Sequence, residues 1–290
     1  GPPRTSGKAV ASLVLGICSF FFSVLTGIPA IILGLLSLRD IDREPLVDGK
    51  GLAVGGITTG AIGSVLCLGC LGLQVALLLP AVQAARGAAQ RAESMNNLKQ
   101  LCLAALNYES ANRSFPPSGK NEDGMGSQLS WRVQLLPYLE TQTGVTFDDF
   151  HHDEPWDSPH NKTLIDKMPA VFACNSADLP PGHTVYLGVS GPGAIFRGDS
   201  NGTRLRDVTD GLSQTMIFVE ADPTEAVPWT KPEDWECDPN NPFAGVGGLR
   251  PGGFLAAMGD GSVHFIPNQT PPGAVQAAAT SNAGDDASAL

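Results

Sequence analysis

Metal-ligand side chains are concentrated in one short segment of the sequence. Three histidines and three acidic residues lie within ten positions: His151, His152, Asp153, Glu154, Asp157 and His160. Imidazole and carboxylate groups are ligands of zinc. Pro155 and Pro159 interrupt the segment, however, and it lacks the i, i+4 helical spacing that directs two ligands at one ion. The sequence therefore favours a solvated loop, with a zinc or other metal site as the alternative.

A second segment carries oxygen ligands of the kind that calcium prefers. They are the side chains of Asp199, Asn201, Asp207 and Asp210. The run from Asp199 to Gly202 resembles the start of a calcium loop, but the glutamate that closes an EF-hand loop is missing. We expect ordinary turns here, and a structural calcium near Asp199 and Asn201 is the alternative.

Strong catalytic signatures are missing from the sequence. Its cysteines do not lie in the context of a catalytic cysteine, and no Gly-x-x-x-x-Gly-Lys phosphate loop occurs. We therefore predict that the protein is not an enzyme and assign no catalytic, cofactor-binding or metal-binding residue.

Four tryptophans are the remaining candidates for a binding surface: Trp131, Trp156, Trp229 and Trp235. Tryptophan side chains can stack on sugars or anchor protein interfaces. They also fill protein cores, and we expect two or three of the four to do so. The rest leave open a module that captures a ligand, with polysaccharide as the candidate.

Composition limits the partners of the chain. It has 290 residues, 42% of them hydrophobic, and a formal net charge of −11, most of which lies after residue 85. Nucleic-acid binding requires a basic surface that neutralises phosphates. We therefore expect no nucleic-acid partner.

Two apolar stretches precede the acidic part of the chain. The first, from Ala9 to Leu38, is uncharged and interrupted at Thr26–Pro29, so we predict one kinked transmembrane helix. The second is uncharged from Gly51 to Ala85 and predicts another transmembrane helix. Its paired glycines, Gly51/Gly55 and Gly56/Gly60, have the spacing that permits close helix packing in lipid.

The second span is predicted to continue without a loop into a soluble helix. Apolar residues recur every three or four positions: Val82, Ala85, Ala89, Ala92, Met95, Leu98, Cys102, Ala105 and Tyr108. Pro80 should bend this helix. Asn112 and the following Phe115-Pro116-Pro117 should end it, because a residue before proline disfavours helical geometry.

The remainder predicts a head rich in loops and short strands. Residues 129–140 have the pattern of a short amphipathic helix broken at Pro137, and residues 184–189 and 215–219 that of strands. Asp260-Gly261 between two apolar runs predicts a hairpin. The predicted domains are a polar tail (1–8), a two-helix membrane module (9–79), a spine helix (80–114), an α+β head (115–266) and a disordered tail (267–290).

Several motifs are similar to one bacterial family. The run Leu77-Leu78-Leu79-Pro80-Ala81-Val82-Gln83, then Asn96-Asn97-Leu98-Lys99, and the later Trp156-Asp157-Ser158 resemble the DUF1559 family of planctomycetes. The motif positions are Pro80, Asn96, Asn97, Trp156, Asp157, Ser158, Asp210, Gly211, Arg250, Asp260 and Gly261. The resemblance implies a pilin- or pseudopilin-like architecture, in which a long helix packs on an antiparallel sheet, as in type II secretion-like assemblies.

Residues 8–75 resemble a second family, the two-helix DUF4190 module of bacterial membrane proteins. The resemblance is carried by the apolar runs Ala11–Gly16, Ile32–Gly34 and Gly51–Gly56.

The chain departs from the DUF1559 pattern at two positions. The acidic residue that the family carries 17 positions before the proline is Gly63 here, and we also identify no cleavable leader, so we do not expect maturation by a prepilin peptidase. Arg250 stands where the family commonly has histidine, so no role of that histidine is carried over.

Two cysteines of the predicted head raise the question of a disulfide. Cys174 and Cys237 could pair in an extracytoplasmic compartment, although sequence does not establish their proximity. We take this disulfide as a hypothesis.

These observations predict an α+β protein with two N-terminal transmembrane helices, the second continuing as a long pilin-like helix packed on an antiparallel β-sheet head. We expect a two-pass protein of the cell membrane with its head extracytoplasmic. Its predicted role is structural or interaction-based in the cell envelope. The expected partners are the membrane and other envelope or pilin-like proteins, and polysaccharide in the ligand-capture alternative.

Overall fold

The computed structural model describes residues 4–22, 24–43, 47–119, 128–139, 144–197, 202–284 and 287. The chain divides into two compact units, Gly1–Arg86 and Gly87–Leu290. One long helix contributes residues to both. The architecture is mixed α+β, as predicted.

The N-terminal unit is built from helices. Strand β1 (Arg4–Thr5) precedes helices α1 (Gly7–Phe22) and α2 (Val24–Arg43), and strand β2 (Val47–Asp48) precedes α3 (Lys50–Asn112). β1 pairs with β2 in parallel, with Arg4 opposite Val47. The start of α1 and the start of α3 therefore lie at the same end of this unit.

The first apolar stretch is not one kinked helix, as the sequence predicts, but two helices that fold back on each other. α1 ends at Phe22, α2 begins at Val24, and Pro29 is tolerated inside α2. The Ser12 hydroxyl donates to the Ala30 carbonyl at 2.8 Å, and Lys8 lies 2.7 Å from Asp40. Residues early in α1 thus meet residues late in α2, which requires an antiparallel pair. Small facing side chains allow this close packing.

Glycines of α3 also permit close packing within the N-terminal unit. A Cβ atom at Gly56 would lie 2.5 Å from the backbone of Ser12, and one at Gly60 would lie 3.0 Å from the carbonyl oxygen of Gly27. Gly51, in contrast, has nothing within 4 Å of such an atom. The predicted role of glycine spacing is therefore confirmed for Gly56 and Gly60 but not for Gly51.

The second unit contains the sheet. Its strands are β3 (His183–Thr184), β4 (Tyr186–Ser190), β5 (Met216–Glu220), β6 (Val227–Pro228), β7 (Trp235–Glu236), β8 (Gly253–Met258) and β9 (Val263–Pro267). Five of them form a sheet in the order β7-β4-β5-β8-β9, and β3 pairs with β6. The β4–β7 pair is parallel and the other pairs are antiparallel. The predicted hairpin is β8–β9, with Gly261 at φ +86° in its turn.

Alternation along the strands of the five-stranded sheet creates two cores. In β8, Leu255 and Ala257 pack with α3 residues such as Leu98 and Leu101. Phe254 and Ala256 point to the other face and pack with Val275. Because successive strand residues face opposite sides, both faces of the sheet are covered.

The second face is covered by a segment that was predicted to be disordered. Residues of the C-terminal tail form helix α5 (Pro272–Ala279), in which Val275 and Ala278 are fully buried. The prediction of a disordered tail from 267 to 290 is therefore wrong for this helix. The alanine-rich sequence carries little helical periodicity of its own, and its order comes from burial against the sheet.

The loops before the sheet contain short helical turns. Helix α4 (Trp131–Gln134) is followed by a 3₁₀ turn at Leu136–Tyr138, so the helix predicted over 129–140 is shorter than expected. Ser130 caps α4 by accepting from the Arg132 amide. The turn positions Trp131 in the core against Phe218, with ring centroids 4.5 Å apart.

Candidate functional site

The middle of α3 exposes large apolar side chains. Leu68, Leu73 and Leu77 are 60%, 62% and 68% exposed. No charged residue lies between Lys50 and Arg86. An exposed apolar surface that surrounds a helix is typical of a helix in contact with lipid.

Among the described residues, α3 is the one helix that is long and apolar enough to cross a membrane. α1 is apolar but has only 16 residues, fewer than the roughly 20 that are needed to span the hydrocarbon core. Of the two predicted transmembrane helices, only α3 is thus a candidate membrane span, by its length and composition, among the described residues.

Further along, α3 becomes part of the head. Leu98, Leu101, Cys102 and Ala105 are completely buried against the sheet, and α3 ends at Asn112 as predicted. The helix is continuous through Pro80. A single 63-residue helix therefore carries both an exposed apolar segment and a buried core face.

Between those two parts lies a stripe of smaller residues that are all exposed: Val82, Ala85, Ala89 and Ala92. We call these four residues the exposed stripe. The sequence places them on the same helical face as Leu98 and Cys102, which are buried. The stripe is thus the accessible continuation of the core face of α3, and it is the candidate interaction surface.

A buried ion pair attaches α3 to the sheet. Arg250 Nη2 donates to Glu220 Oε1 at 2.7 Å and to the Ser94 hydroxyl of α3 at 2.8 Å. The Tyr186 hydroxyl of β4 also donates to Ser94, at 3.0 Å. Arg250 further donates to Ser176 at 2.9 Å. One guanidinium therefore joins α3, a strand and a loop.

The surroundings of this ion pair shift the pKa values of nearby side chains. Burial lowers the pKa of Arg250, but the hydrogen bonds and charge of Glu220 more than offset this effect, so its pKa is raised overall. Burial and the Glu220 charge both raise the pKa of Cys174. Burial likewise raises the pKa of Tyr186. The cluster therefore holds a neutral thiol and a neutral phenol around one charge pair.

A second buried ion pair, Arg132–Asp234, lies next to strand β4. Arg132 Nη2 is 3.1 Å from Asp234 Oδ1, which also accepts from Trp131 Nε1 and the Gly188 amide, both at 2.9 Å. Arg132 also donates to the Tyr186 carbonyl at 3.0 Å. Burial lowers the pKa of Arg132, and the charge of Asp234 opposes that change. Tyr186 thus contacts both ion-pair networks.

Neither ion pair was identified from the sequence. Glu220 ends an apolar strand and Arg250 follows a glycine-rich loop, so a charge beside buried positions was the available signal. Glu220 and Arg250 are 30 residues apart in the sequence, however, and their pairing depends on the sheet.

The histidine cluster forms a hydrogen-bonded loop. The rings of His151 and His160 stack with centroids 3.7 Å apart. His151 Nδ1 lies 3.1 Å from Glu154 Oε1, His160 Nε2 lies 2.8 Å from the Asp149 carbonyl, and His152 contacts the Phe147 carbonyl. Within the part of the chain that the structure describes, no three His, Cys, Asp or Glu side chains are arranged to hold a metal ion.

The calcium alternative falls partly outside the described residues, because Asp199 and Asn201 lie there. Asp207 belongs to a 3₁₀ turn, Leu205–Asp207. Asp210 accepts from the amides of Ala283 and Gly284, both at 2.9 Å, which attaches the C-terminal segment to the turn.

The disulfide hypothesis is wrong in this structure. Cys174 and Cys237 are both free thiols. Cys174 belongs to the core on the α3 face of the sheet, whereas Cys237 packs against the core on the opposite face. The sheet lies between them, so their shared location in the head does not bring them together.

The tryptophans are mostly core residues, which confirms the expectation for two or three of them. Trp131 and Trp229 are fully buried, and Trp235 is 4% exposed. Trp156 is half-buried, with the Lys231 ammonium 5.8 Å from its ring centroid. The described residues therefore present no set of exposed tryptophans for stacking on a sugar.

The motif positions that resemble DUF1559 have mainly structural contacts. Asn97 Nδ2 donates to the Ala173 carbonyl at 3.2 Å, whereas Asn96 is exposed. Ser158 accepts from the Asn161 amide at 3.1 Å, and its neighbour Asp157 is exposed.

Two further motif positions are glycines with positive φ, and each follows an aspartate. Gly211 has φ +96° after Asp210, and Gly261 has φ +86° after Asp260. Asp260 accepts from the Ser262 amide at 2.9 Å and hydroxyl at 2.7 Å. These Asp-Gly pairs form turns, because glycine adopts positive φ without steric cost.

Comparison with known families confirms both resemblances. Residues 83–193 match the family described as "Protein of unknown function (DUF1559)". Residues 8–70 match the one described as "Domain of unknown function (DUF4190)". No curated protein matches the chain. No solved structure matches it either.

Proposed function

We propose that the protein is a membrane-anchored structural or interaction protein of the cell envelope, with a pilin-like head. The observation that carries this proposal is the division of α3 into an exposed apolar segment and a segment buried in the head. The exposed apolar segment would anchor the chain in the membrane, and the head follows it in the same helix. The protein would then act by presenting its head at the membrane rather than by catalysis.

The distribution of basic residues supports an orientation with the head outside the cytoplasm. Lys8 contacts Asp40, Lys50 contacts Asp42, and β1 pairs with β2. Basic residues before the span thus gather at the end where α3 begins: Arg4, Lys8, Arg39, Arg43 and Lys50. Arg86 and Arg91 follow the span. Cytoplasmic ends carry more lysine and arginine, so this end is assigned to the cytoplasm.

A protein in which α3 is the one membrane span differs from a two-pass protein in the location of the N-terminus. If α1–α2 folds back and α3 then crosses, the N-terminus and the head lie on opposite sides of the membrane. With two simple spans, both would lie on the same side. The location of the N-terminus therefore separates the two topologies.

The test is protease treatment of intact spheroplasts that produce the chain with an N-terminal epitope tag. We expect the head to be digested and the tag to remain on a protected membrane fragment. Lysis with detergent should expose the tag, which controls for protease activity. Digestion of the tag in intact spheroplasts would support the two-pass topology, and protection of the head would contradict the proposal.

The exposed stripe supports the interaction part of the proposal. Small side chains permit close approach of another helix, and Gly56 and Gly60 are already packed against α1 and α2. Association with other envelope proteins through the stripe is thus favoured over association through these glycines. The exposed helix therefore supports the interaction role.

A further inference from the structure

A cleft lies at the C-terminal end of α3, within the second unit. It has a volume of about 760 Å³. Its lining residues come from two segments, Glu109 to Ser114 and Arg204 to Arg206. Small-molecule sites typically have volumes of about 300–1,000 Å³, so the cleft can admit a small organic ligand.

One backbone hydrogen bond joins the residues that flank the two lining segments. The Phe115 amide donates to the Thr203 carbonyl at 2.8 Å, and the Thr203 hydroxyl donates to the Ile195 carbonyl at 2.6 Å. Phe115 and Thr203 are both buried. The cleft is therefore held between the end of α3 and a 3₁₀ turn by core contacts.

The cleft is positively charged in a protein that is otherwise acidic. Three guanidinium groups line it, those of Arg113, Arg204 and Arg206, against one carboxylate, that of Glu109. Within the described ranges, Arg113 and Arg204 form no ion pair, and Arg206 has only its exposed neighbour Asp207, at 3.8 Å. Guanidinium groups bind carboxylates and phosphates through paired hydrogen bonds.

Arg113 also has an unusual backbone conformation. Its φ is +63°, the one positive φ of a non-glycine residue in the described chain, and it directly follows the last residue of α3. Helices commonly end in this conformation with glycine, because a Cβ atom is strained there. An arginine in a conformation that favours glycine supports a use for its side chain in the cleft.

We propose that this cleft binds a small anion that carries two or more oxyanion groups, such as carboxylates or phosphates. Arg113 and Arg204 contact the oxyanions, with Arg206 as a third cation. Ser114 is available for a hydrogen bond to the same ligand, whereas the side-chain amide of Asn112 already donates to the Tyr108 carbonyl and the Tyr138 hydroxyl. Glu109 limits the affinity by repulsion. The ligand is a free small acid or the acidic groups of a short sugar segment, and tryptophan stacking is not involved.

The experiment is isothermal titration calorimetry on the full chain in neutral detergent at low ionic strength. The probes are citrate, inorganic pyrophosphate and trigalacturonate, which represent a small carboxylate, a phosphate and an acidic oligosaccharide. We expect at least one probe to bind with a Kd of about 1 mM or tighter. The affinity should fall as salt is added, because exposed charges are screened.

Two variants test the assigned residues. Arg204→Ala and Arg113→Gly should each weaken binding by about tenfold or more. Arg113→Gly should leave the melting temperature unchanged or raise it, because glycine relieves the backbone strain. Glu109→Gln should strengthen binding. Arg43→Ala, at an exposed arginine of the N-terminal unit, is the matched control and should bind as the parent does.

The proposal is overturned if none of the three probes binds, or if the affinity is the same in the parent and both arginine variants. Binding of trigalacturonate alone identifies a sugar acid, and binding of citrate or pyrophosphate identifies a free small anion. Either result supports the proposal. The anion-binding proposal is independent of the structural or interaction role proposed above, because it requires no partner protein.

Discussion

Arg250 donates to both carboxylate oxygens of Glu220 in the interior of the head, with Nη2 2.7 Å from Oε1. Because Arg250 also donates to Ser94 of α3, the same guanidinium orders the sheet and fixes the long helix on it. Arg250 is also one of the two departures from the DUF1559 pattern noted in the sequence. The role of this arginine in the present structure is therefore to attach α3 to the sheet.

Removing one partner of this pair should destabilise the head strongly. Glu220→Ala leaves the Arg250 charge buried without a counterion, which typically costs about 3–5 kcal/mol. The four tryptophans all lie in the head, so denaturant unfolding followed by tryptophan fluorescence reports on this unit.

The exposed pair Lys231–Glu233 provides the control for that measurement. Glu233→Ala should cost less than about 1 kcal/mol, because exposed ion pairs contribute little. Replacing Glu220 and Arg250 together by methionine should restore part of the stability, since no lone charge remains. A loss below about 1 kcal/mol for Glu220→Ala would show that the pair does not hold α3 on the sheet.

The two head cysteines should be free and slow to react. Burial raises the pKa of Cys237 to about 11, with a further contribution from Asp238. The pKa of Cys174 is also raised, mainly by burial. Because the thiolate is the reactive form, both should be alkylated slowly at pH 8 in the folded protein.

Timed alkylation followed by mass spectrometry measures how fast each thiol reacts and tests this prediction. Both thiols should be labelled rapidly after unfolding in denaturant without a reductant. A peptide that links Cys174 to Cys237 would contradict the structure, because the sheet separates the two side chains.

Helix α5 should contribute measurably to the stability of the head. Val275→Asp introduces a carboxylate at a fully buried position and should cost about 3 kcal/mol or more. Gln276→Asp places the same side chain on the exposed face of α5 and is the matched control. Equal unfolding free energies for the two variants would indicate that α5 does not pack on the sheet in solution.

The exposed stripe should tolerate a larger side chain without loss of head stability. Ala89→Leu adds volume at an exposed position, so the melting temperature of the head should not change. Ala105→Leu adds the same volume at a fully buried position and should cost about 1–3 kcal/mol.

Crosslinking in native membranes then tests the interaction role of the stripe. Ala89→Leu should reduce crosslinked complexes if another helix packs on the stripe. Complexes that persist unchanged in this variant, or a parent protein that crosslinks only as monomer, would contradict that role.

Local signals in the sequence determined the features that depend on neighbouring residues. The uncharged stretch from Gly51 to Ala85 predicted an apolar helix, Phe115-Pro116-Pro117 predicted its end at Asn112, and Asp260-Gly261 predicted a hairpin. Each depends on composition, backbone stereochemistry or turn preference within a few positions.

Only the tertiary structure decided the features that join distant positions. The same apolar residues of α1 and α2 can form one kinked helix or two packed helices, and the contact of Ser12 with Ala30 selects the second arrangement. The ion pair between Glu220 and Arg250, and the separation of Cys174 from Cys237, depend on which face of the sheet each residue reaches. α5 is ordered because the sheet has a second apolar face to cover, and no signal within residues 272–279 reveals that face.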